Sequence, residues 1–173
     1  LQSGCNRTLK RMNRKYTTEQ YEKAVELIRK HFPDAALTTD IIAGFPDESD
    51  NDFEESLSFA KKIGFLKIHA FPYSPKRGTP AAAMENQIQN SVKNERTARL
   101  IELSDIMGEE FIERFKGRNM PVLFEREISE NLYEGYTVNY IRVIAESKEN
   151  IQNKILDVKI LSHENDTAHG EII

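Results

Sequence analysis

The sequence predicts an α/β fold for its larger, amino-terminal part, followed by a small all-β barrel. Apolar runs that suit buried strands alternate with amphipathic helices up to about residue 71, as in a series of β/α units. Apolar side chains then recur every three or four residues from about 88 to 115, which indicates one long helix. After Gly117 the pattern changes to short β-rich stretches separated by turn residues, as in a small barrel. We therefore predict two domains, residues 1–116 and 117–173.

The composition is that of a folded globular protein. The 173 residues include 24 basic and 28 acidic ones, a formal net charge of −4, and 39% are hydrophobic, which is too apolar for a disordered tail. No apolar run approaches the roughly 18 residues of a membrane helix, and no basic-then-apolar leader is present. We therefore expect a cytoplasmic protein with no membrane partner. The chain opens on Leu1, close to a glycine loop, and we interpret it as a fragment of a larger protein.

Two capping signals place helices between the predicted strands. Thr17 and Gln20 have the spacing of a capping box, and an apolar series at helical spacing follows them. A nearly continuous apolar run at 36–43 predicts a buried strand. Ser49 is then placed to cap a second helix, and 66–71 predicts another strand.

The loops that follow the strands are the predicted working rim. Parallel strands bring their carboxyl ends to one edge, in an open sheet or in an arc of a barrel. If Leu1 and Gln2 end a first strand, the rim loops are 3–6, 44–48 and 72–75. Gly44 would let the backbone approach a ligand closely. The acids after it would repel a phosphate and could accept hydrogen bonds from hydroxyls or amines, although an ordinary β/α turn remains the alternative.

Basic side chains also cluster near this rim. The first 16 residues carry five basic side chains and no acid, which fits either a solvated strip or an anion-binding strip. Arg14 could converge with Lys76 and Arg77 on a carboxylate or a phosphate, because guanidinium groups bind such anions bidentately.

Few side chains suit direct chemistry. The one cysteine, Cys5, excludes a disulfide framework and any cysteine-rich metal or iron–sulfur site built from this chain alone. The neighbouring Arg7 could lower the pKa of Cys5, but a bystander role is the alternative. His69 lies in a strand, where a barrel-lining role is more common than a catalytic one. We assign no catalytic residue and no metal ligand to this chain.

The small β domain has a charge balance that does not favour nucleic acid. Residues 116–173 carry seven basic and ten acidic side chains, so RNA recognition would need a local patch in which Tyr136 and Tyr140 stack on bases. The alternative is that these tyrosines belong to the barrel core. The predicted β stretches are 121–125, 136–145, 155–161 and 170–173.

Several stretches, in order, resemble the radical S-adenosylmethionine methylthiotransferases. The stretches that resemble the last three barrel strands of that family, with their loops, are Leu1–Gly4 with Leu9–Thr17, Thr39–Pro46, and His69–Pro75 with Arg77–Ala81. The stretch Gly135–Tyr140 resembles the TRAM domain that ends these enzymes. The resemblance implies the C-terminal half of a radical S-adenosylmethionine barrel, which is a partial TIM-like barrel, followed by a TRAM barrel.

The resemblance also points to a branch of that family. Arg11–Tyr16 and Thr137–Tyr140 look most like the branch that acts on threonylcarbamoyladenosine beside the tRNA anticodon. The isopentenyladenosine and ribosomal-protein branches remain alternatives. An RNA-binding adaptor without catalysis is the alternative from a different functional class.

The family implies a chemistry that this chain cannot perform alone. In that family a [4Fe–4S] cluster cleaves S-adenosylmethionine, and the resulting radical abstracts a hydrogen from C2 of the modified adenine. A second cluster supports delivery of a sulfur atom, which is then methylated. The cysteines that hold these two [4Fe–4S] clusters would precede the present chain, which should ligate neither cluster and should be inactive by itself.

The resemblance further implies site residues and partners. The residues implied for S-adenosylmethionine are Gln2, Ser3, Arg14, Ile42, Gly44, Tyr73 and Ser74. Those implied for RNA are Arg77, Tyr136, Asn139 and Tyr140. Asp47 stands where relatives commonly have glycine. A side chain there narrows the backbone freedom of the loop, which puts the contact of this loop with the cofactor in doubt. The expected partners are the tRNA anticodon loop, the missing N-terminal half of the same chain and, for the fragment alone, a second copy of itself.

Overall fold

The computed structural model describes residues 1–173, which form two compact units, Leu1–Met107 and Gly108–Ile173. In the first unit, helices alternate with strands. Its elements are α1 (Asn6–Arg11), α2 (Thr18–His31), β1 (Thr38–Ala43), α3 (Asp50–Ile63), β2 (Lys67–Pro72), a 3₁₀ turn (Pro80–Ala83) and most of α4 (Asn90–Glu113). The assignment of domains at 1–116 and 117–173 stays a prediction.

The strands of the first unit pair in parallel, as predicted. β1 and β2 are in register from Thr38 opposite Lys67 to Ala43 opposite Pro72. Gln2 adds a single parallel bridge to Ile41. The carboxyl ends of these segments therefore meet at one edge, and the loops that follow them lie together.

Local signals account for the helix ends. The side chain of Thr17 accepts a hydrogen bond from the amide of Gln20, whose side chain returns one to Thr17, and Ser49 and Asp52 make the same reciprocal pair. Both predicted caps are thus confirmed. Helix α1 was not predicted, because it has no side-chain cap. It buries Leu9 against the rest of the unit, so packing rather than local signal forms it.

The two faces of the β1–β2 sheet differ. One face packs on the helices and contributes Ile41, Ala43 and Ile68 to the buried core. The opposite face is open, and Phe71 on it is 51% exposed. A sheet with one open face exposes apolar surface to solvent.

The second unit is a closed barrel of five strands, in agreement with the predicted barrel. Its strand order is β3–β4–β5–β7–β6, with one parallel pair, β5 and β7. The strands are β3 (Asn119–Ser129), β4 (Leu132–Thr137), β5 (Arg142–Glu146), β6 (Ile155–Glu164) and β7 (Thr167–Ile172). Closure leaves no unpaired edge strand.

One predicted β stretch, 136–145, is in fact two strands with a turn between them. The chain reverses after Thr137, where Tyr140 adopts a left-handed φ of 62°. Residues with high β propensity run on through this turn, which is why the predicted stretch was not divided, although the apolar alternation shifts by one residue at Tyr140 and Ile141. None of the helices combines the length and the apolar character that a membrane span requires.

Candidate functional site

The loop after β1 is built around Gly44. Its φ of 73° is left-handed, and its amide donates a 2.8 Å hydrogen bond to a carboxylate oxygen of Glu48. A Cβ at this position would lie 2.4 Å from Cγ of Lys93. Glycine is therefore required by the backbone angle and by the close approach of the lysine stem.

The acids after Gly44 have protein partners. Glu48 is buried and bonds Arg96 at 2.8 Å, and the same guanidinium reaches Asp50 at 2.7 Å. Burial raises the pKa of Glu48, although the Gly44 amide and Arg96 offset part of that effect. These carboxylates hold the loop to helix α4, so they are already engaged within the protein.

Asp47 and Asp52 are paired with the basic strip. Asp47 forms ion pairs with Arg7 and Arg11, and Asp52 forms one with Arg7. Burial works to raise the pKa of Asp52, but hydrogen bonds from Ser49 and the nearby charges lower it overall. Two arginines of the predicted anion-binding strip are thus neutralised within the protein.

Asp47 also has a left-handed backbone, with φ of 65°. Aspartate tolerates this region better than most side chains because its short polar group bonds locally. Its carboxylate accepts a hydrogen bond from Asn86 at 3.1 Å in addition to the arginine pairs. These contacts explain how a side chain stands where glycine was the expectation.

A groove of about 350 Å³ lies at the carboxyl ends of the strands. Its size is that of a small-molecule pocket. Polar groups converge with apolar ones along it. The lining residues are Gln2, Asp40, Ile42, Phe71, Pro72, Tyr73 and Ser74.

Two features of the groove suit a ligand with both polar and charged groups. Arg14 donates a 3.0 Å hydrogen bond to the side-chain oxygen of Gln2, which brings a cation to the groove. The hydroxyl of Tyr73 is buried and has no hydrogen-bond partner. Its ring packs edge-on against Phe45, and the Lys93 ammonium lies 5.4 Å from the ring centroid. An unsatisfied buried hydroxyl is uncommon in folded proteins.

The structure brings together five of the residues implied for the cofactor and places two elsewhere. Gln2, Ile42, Tyr73 and Ser74 line the groove, and Arg14 bonds Gln2. Ser3, by contrast, is buried and bonded to Ser56 at 2.9 Å. Gly44 is also buried, and its amide donates to Glu48.

Sequence reasoning missed the two basic residues of α4 that face this loop. Lys93 and Arg96 are both buried, and their spacing of three residues puts them on one helix face. The same spacing on a solvated helix would look alike in the sequence. Leu100, four residues after Arg96, is the one signal that this face is turned inward.

The thiol of Cys5 is not activated by its neighbours. It is buried and donates a hydrogen bond to Asp52 at 3.4 Å. Burial raises its pKa to about 11. The expectation of a lowered pKa beside Arg7 was wrong: burial outweighs the lowering effect of the Arg7 backbone amide, and the Arg7 guanidinium pairs with Asp47 and Asp52.

The residues implied for RNA lie in two places. Arg77 is exposed in the loop after β2, in the first unit. In the barrel, Asn139 is buried and accepts a 2.6 Å hydrogen bond from Thr137, whereas Tyr140 is 79% exposed. Tyr136 is half-buried on the outer face of β4. The turn therefore presents Tyr140 to solvent while Asn139 anchors it.

Comparisons with known proteins agree on one family. Residues 1–60 match the radical SAM superfamily. The chain is 42% identical over 165 residues to the threonylcarbamoyladenosine tRNA methylthiotransferase of Bacillus subtilis, covering 93% of this chain and 37% of that protein.

Two further relatives are tRNA-2-methylthio-N(6)-dimethylallyladenosine synthases. That of Caldicellulosiruptor saccharolyticus is 37% identical over 100% of this chain and 37% of its own length. That of Acetivibrio thermocellus is 38% identical over 99% of this chain and 36% of its own length. The chain thus spans little more than a third of the curated relatives it matches. Over nearly all of its residues, the chain is thus similar to the radical S-adenosylmethionine methylthiotransferases.

Proposed function

We propose that this chain is part of a tRNA methylthiotransferase that modifies C2 of threonylcarbamoyladenosine beside the anticodon. The observation that carries the proposal is the 42% identity to the Bacillus subtilis enzyme of that name, over 93% of this chain. Because the chain spans 37% of that relative, the activity is proposed for a whole protein to which these residues contribute.

The groove of the first unit fits S-adenosylmethionine. Ile42 and Phe71 offer apolar surface to an adenine ring, and Gln2 and Asp40 offer oxygens to hydroxyl groups. The Arg14 guanidinium is suited to a carboxylate. The chemistry that this cofactor brings to the reaction is radical hydrogen abstraction and methyl donation. The chain's own part is to bind and orient it.

The residues present do not fit an iron–sulfur cluster. Such clusters are held by several cysteine thiolates, and the one cysteine here is a buried thiol with a raised pKa. We infer that the cluster thiolates come from polypeptide outside these 173 residues. The isolated chain is therefore proposed to be inactive.

We propose that the first unit is the C-terminal half of the partial barrel. Its two-stranded parallel sheet has one open face, which carries Phe71 and the groove. The N-terminal half of the same protein would cover that face. Without it, the chain is expected to associate with itself through this surface.

The five-stranded barrel is proposed to be a TRAM domain that binds the tRNA. Tyr140 supports this, because its ring is solvent-exposed and its φ of 62° is strained for a bulky side chain. Strain that persists in an exposed aromatic residue is more typical of a functional site than of a core.

The substrate is tested by deleting the gene for this protein and analysing tRNA nucleosides by mass spectrometry. We expect the methylthio derivative of threonylcarbamoyladenosine to disappear and that of dimethylallyladenosine to persist. The opposite pattern would assign the protein to the dimethylallyladenosine branch, which its relatives at 37% and 38% identity represent. Persistence of both derivatives would contradict a tRNA methylthiotransferase.

The RNA contact is tested with Tyr140→Gly in the 173-residue chain and an anticodon stem–loop RNA. Loss of one stacking ring should lower the affinity about 5- to 150-fold, since base–aromatic stacking contributes about 1–3 kcal/mol. Glycine relieves the left-handed strain, so the thermal midpoint should stay the same or rise. Unchanged affinity in a folded variant would remove Tyr140 from the interface.

A further inference from the structure

We propose that Arg126 and Arg142 form a phosphate-binding pair on the outer face of the barrel, oriented by the buried carboxylate of Glu134. The ligand is the phosphodiester backbone of a single-stranded RNA segment. This inference rests on the proposed tRNA function and deepens it by naming the side chains that contact phosphate.

The first observation is the geometry around Glu134. Its oxygen Oε1 accepts a 3.1 Å hydrogen bond from Nε of Arg126, and Oε2 accepts a 2.6 Å bond from Nε of Arg142. Each arginine adds a second contact through Nη2 to the same oxygen. One carboxylate thus aligns two guanidinium groups.

The second observation is the difference in exposure within this cluster. The Glu134 side chain is 4% exposed, whereas those of Arg126 and Arg142 are 66% and 35% exposed. A guanidinium has five N–H donors. Arg126 uses two of them on Glu134, and Arg142 uses two there and one on Thr167 at 3.1 Å. The remaining donors of both arginines are available to an incoming anion.

The third observation is the row of residues beside the pair. The antiparallel register places Tyr136 opposite both Leu123 and Arg142, and it places Ile155 opposite Leu123. Directly opposed residues share a face of the sheet. Leu123 and Ile155 are exposed, and Tyr136 is half-buried. The row therefore offers apolar and aromatic surface to bases and ends at Arg142, which can bind a phosphate. Proteins that bind single-stranded nucleic acids combine these two kinds of surface.

Charge supports a local site rather than bulk attraction. The second unit carries eight basic and thirteen acidic residues, a net charge of −5, which repels RNA at a distance. Arg126, Arg142 and Glu134 together carry one positive charge, and the nearest further acid the contacts show is Asp166, which accepts a 3.2 Å hydrogen bond from Thr167.

Stability alone also explains the cluster poorly. A buried ion cluster is often no more stable than an apolar replacement of similar size. A buried Glu134 is explained if its function is to orient the exposed guanidinium groups of Arg126 and Arg142.

The test measures binding of the 173-residue chain to a fluorescently labelled anticodon stem–loop RNA by anisotropy at several salt concentrations. The double variant R126Q/R142Q should bind about tenfold more weakly. Its slope of log affinity against log salt should flatten by about 1.4, since each lost phosphate contact on a single strand removes about 0.7. The control K148Q/K159Q removes the same charge from exposed sites outside the pair and should leave the slope unchanged.

A second variant separates fork geometry from charge and guards against loss of folding. R126K/R142K keeps both ion pairs with Glu134 but lacks the planar donor fork. Its slope of log affinity against log salt should equal that of the wild type, while its affinity for the RNA should be about threefold lower than that of the wild type.

Each result is decisive. Wild-type affinity and slope in R126Q/R142Q would overturn the phosphate pair, and if Tyr140→Gly still lost binding, the proposed RNA function would stand without it. A chain that binds no RNA under any condition would overturn both. Equal loss in the control and the arginine variant would reduce the effect to net charge and overturn the pair.

Discussion

Each unit of the molecule contains a buried glutamate held by arginine, and the two cases differ in one respect. In the first unit the partner is buried too: the Arg96 and Glu48 side chains are 6% and 2% exposed. In the barrel, Glu134 is buried beneath two arginines that reach solvent. The glutamate–arginine ion pair is thus fully buried in the first unit, whereas in the second unit its arginines are exposed to solvent.

The difference follows from what each glutamate connects. Glu48 lies in a loop and Arg96 on a helix, 48 residues apart in the chain, so their pair ties α4 to the rim. Glu134 lies on β4, and backbone hydrogen bonds already join β4 to β3 on one side and to β5 on the other. The ion pairs of Glu134 therefore add to strand pairs that the backbone already forms, and the Arg126 side chain reaches solvent.

The largest effect should come from breaking the inward pair. Arg96→Leu leaves the carboxylate of Glu48 buried without a cation, which should cost about 3–5 kcal/mol of unfolding free energy. Arg126→Leu is the comparison, because Arg142 still holds Glu134, and the loss there should be about 0–1 kcal/mol. Urea unfolding followed by far-ultraviolet circular dichroism measures both. Equal losses would abolish the distinction between the two glutamates.

Gly44→Ala should be the next most severe change. The new Cβ would lie 2.4 Å from Cγ of Lys93, and the alanine would have to keep the left-handed φ of Gly44. Together these effects should lower the free energy of unfolding by about 3 kcal/mol. Gly78→Ala isolates the backbone component, because its φ is 84° and no atom lies within 4 Å of the new Cβ. That control should lose about 1–2 kcal/mol. Equal thermal midpoints of Gly44→Ala and Gly78→Ala would show that the close approach of Lys93 does not contribute to the loss of stability.

Cys5 offers a kinetic probe of how tightly the rim of the first unit is closed. With a pKa of about 11 against an ordinary 9.0, its thiolate fraction near pH 8 should be about a hundredfold below that of an unfolded chain. Reaction with a disulfide reagent should therefore be slow in buffer and fast in urea. Rapid reaction of the native protein would show that the loop opens or that Arg7 activates the thiol.

The smallest effect concerns the pH dependence of the barrel. Burial works to raise the pKa of Glu134, but Arg142 and Arg126 outweigh it and lower the pKa below its ordinary 4.5. A lowered folded-state pKa contributes stability above pH 4.5 that is lost as the pH falls through the folded value. The thermal midpoint of the wild type should thus exceed that of Glu134→Gln by a few degrees at pH 7, and the gap should close toward pH 3. A gap that widened in acid would reverse the sign of the shift.

Features that depend on neighbours in the chain were predictable. Both capping boxes pair residues three apart, and Gly64 ends α3 in the left-handed conformation that favours glycine. The parallel order of β1 and β2 followed from the helix between them, because such crossovers produce parallel strands. Tyr73 lies in a rim loop that follows from the rule that loops at strand ends form the working rim, whereas Gln2 and Ile42 were predicted only from the family resemblance.

Features that depend on distant partners were not predictable. Nothing local distinguishes a buried Arg96 from a solvated helix residue, since its partner Glu48 is far away in the chain. Helix α1 has no capping signal of its own and depends on burial of Leu9. The turn at Tyr140 interrupts a stretch whose residues all favour strands, so composition did not mark it.

By itself, the sequence determined the order of strands and helices, the caps, the closed all-β second part and the absence of cluster-forming cysteines, because these depend on local spacing and on composition. Only the tertiary structure decided which charges are available. It paired Asp47 and Asp52 with the basic strip and buried Glu48 against Arg96, but it left the arginines over Glu134 in contact with solvent. The physical reason is that the state of a charge depends on the dielectric and on the partner around it, and both are set by residues far away in the chain.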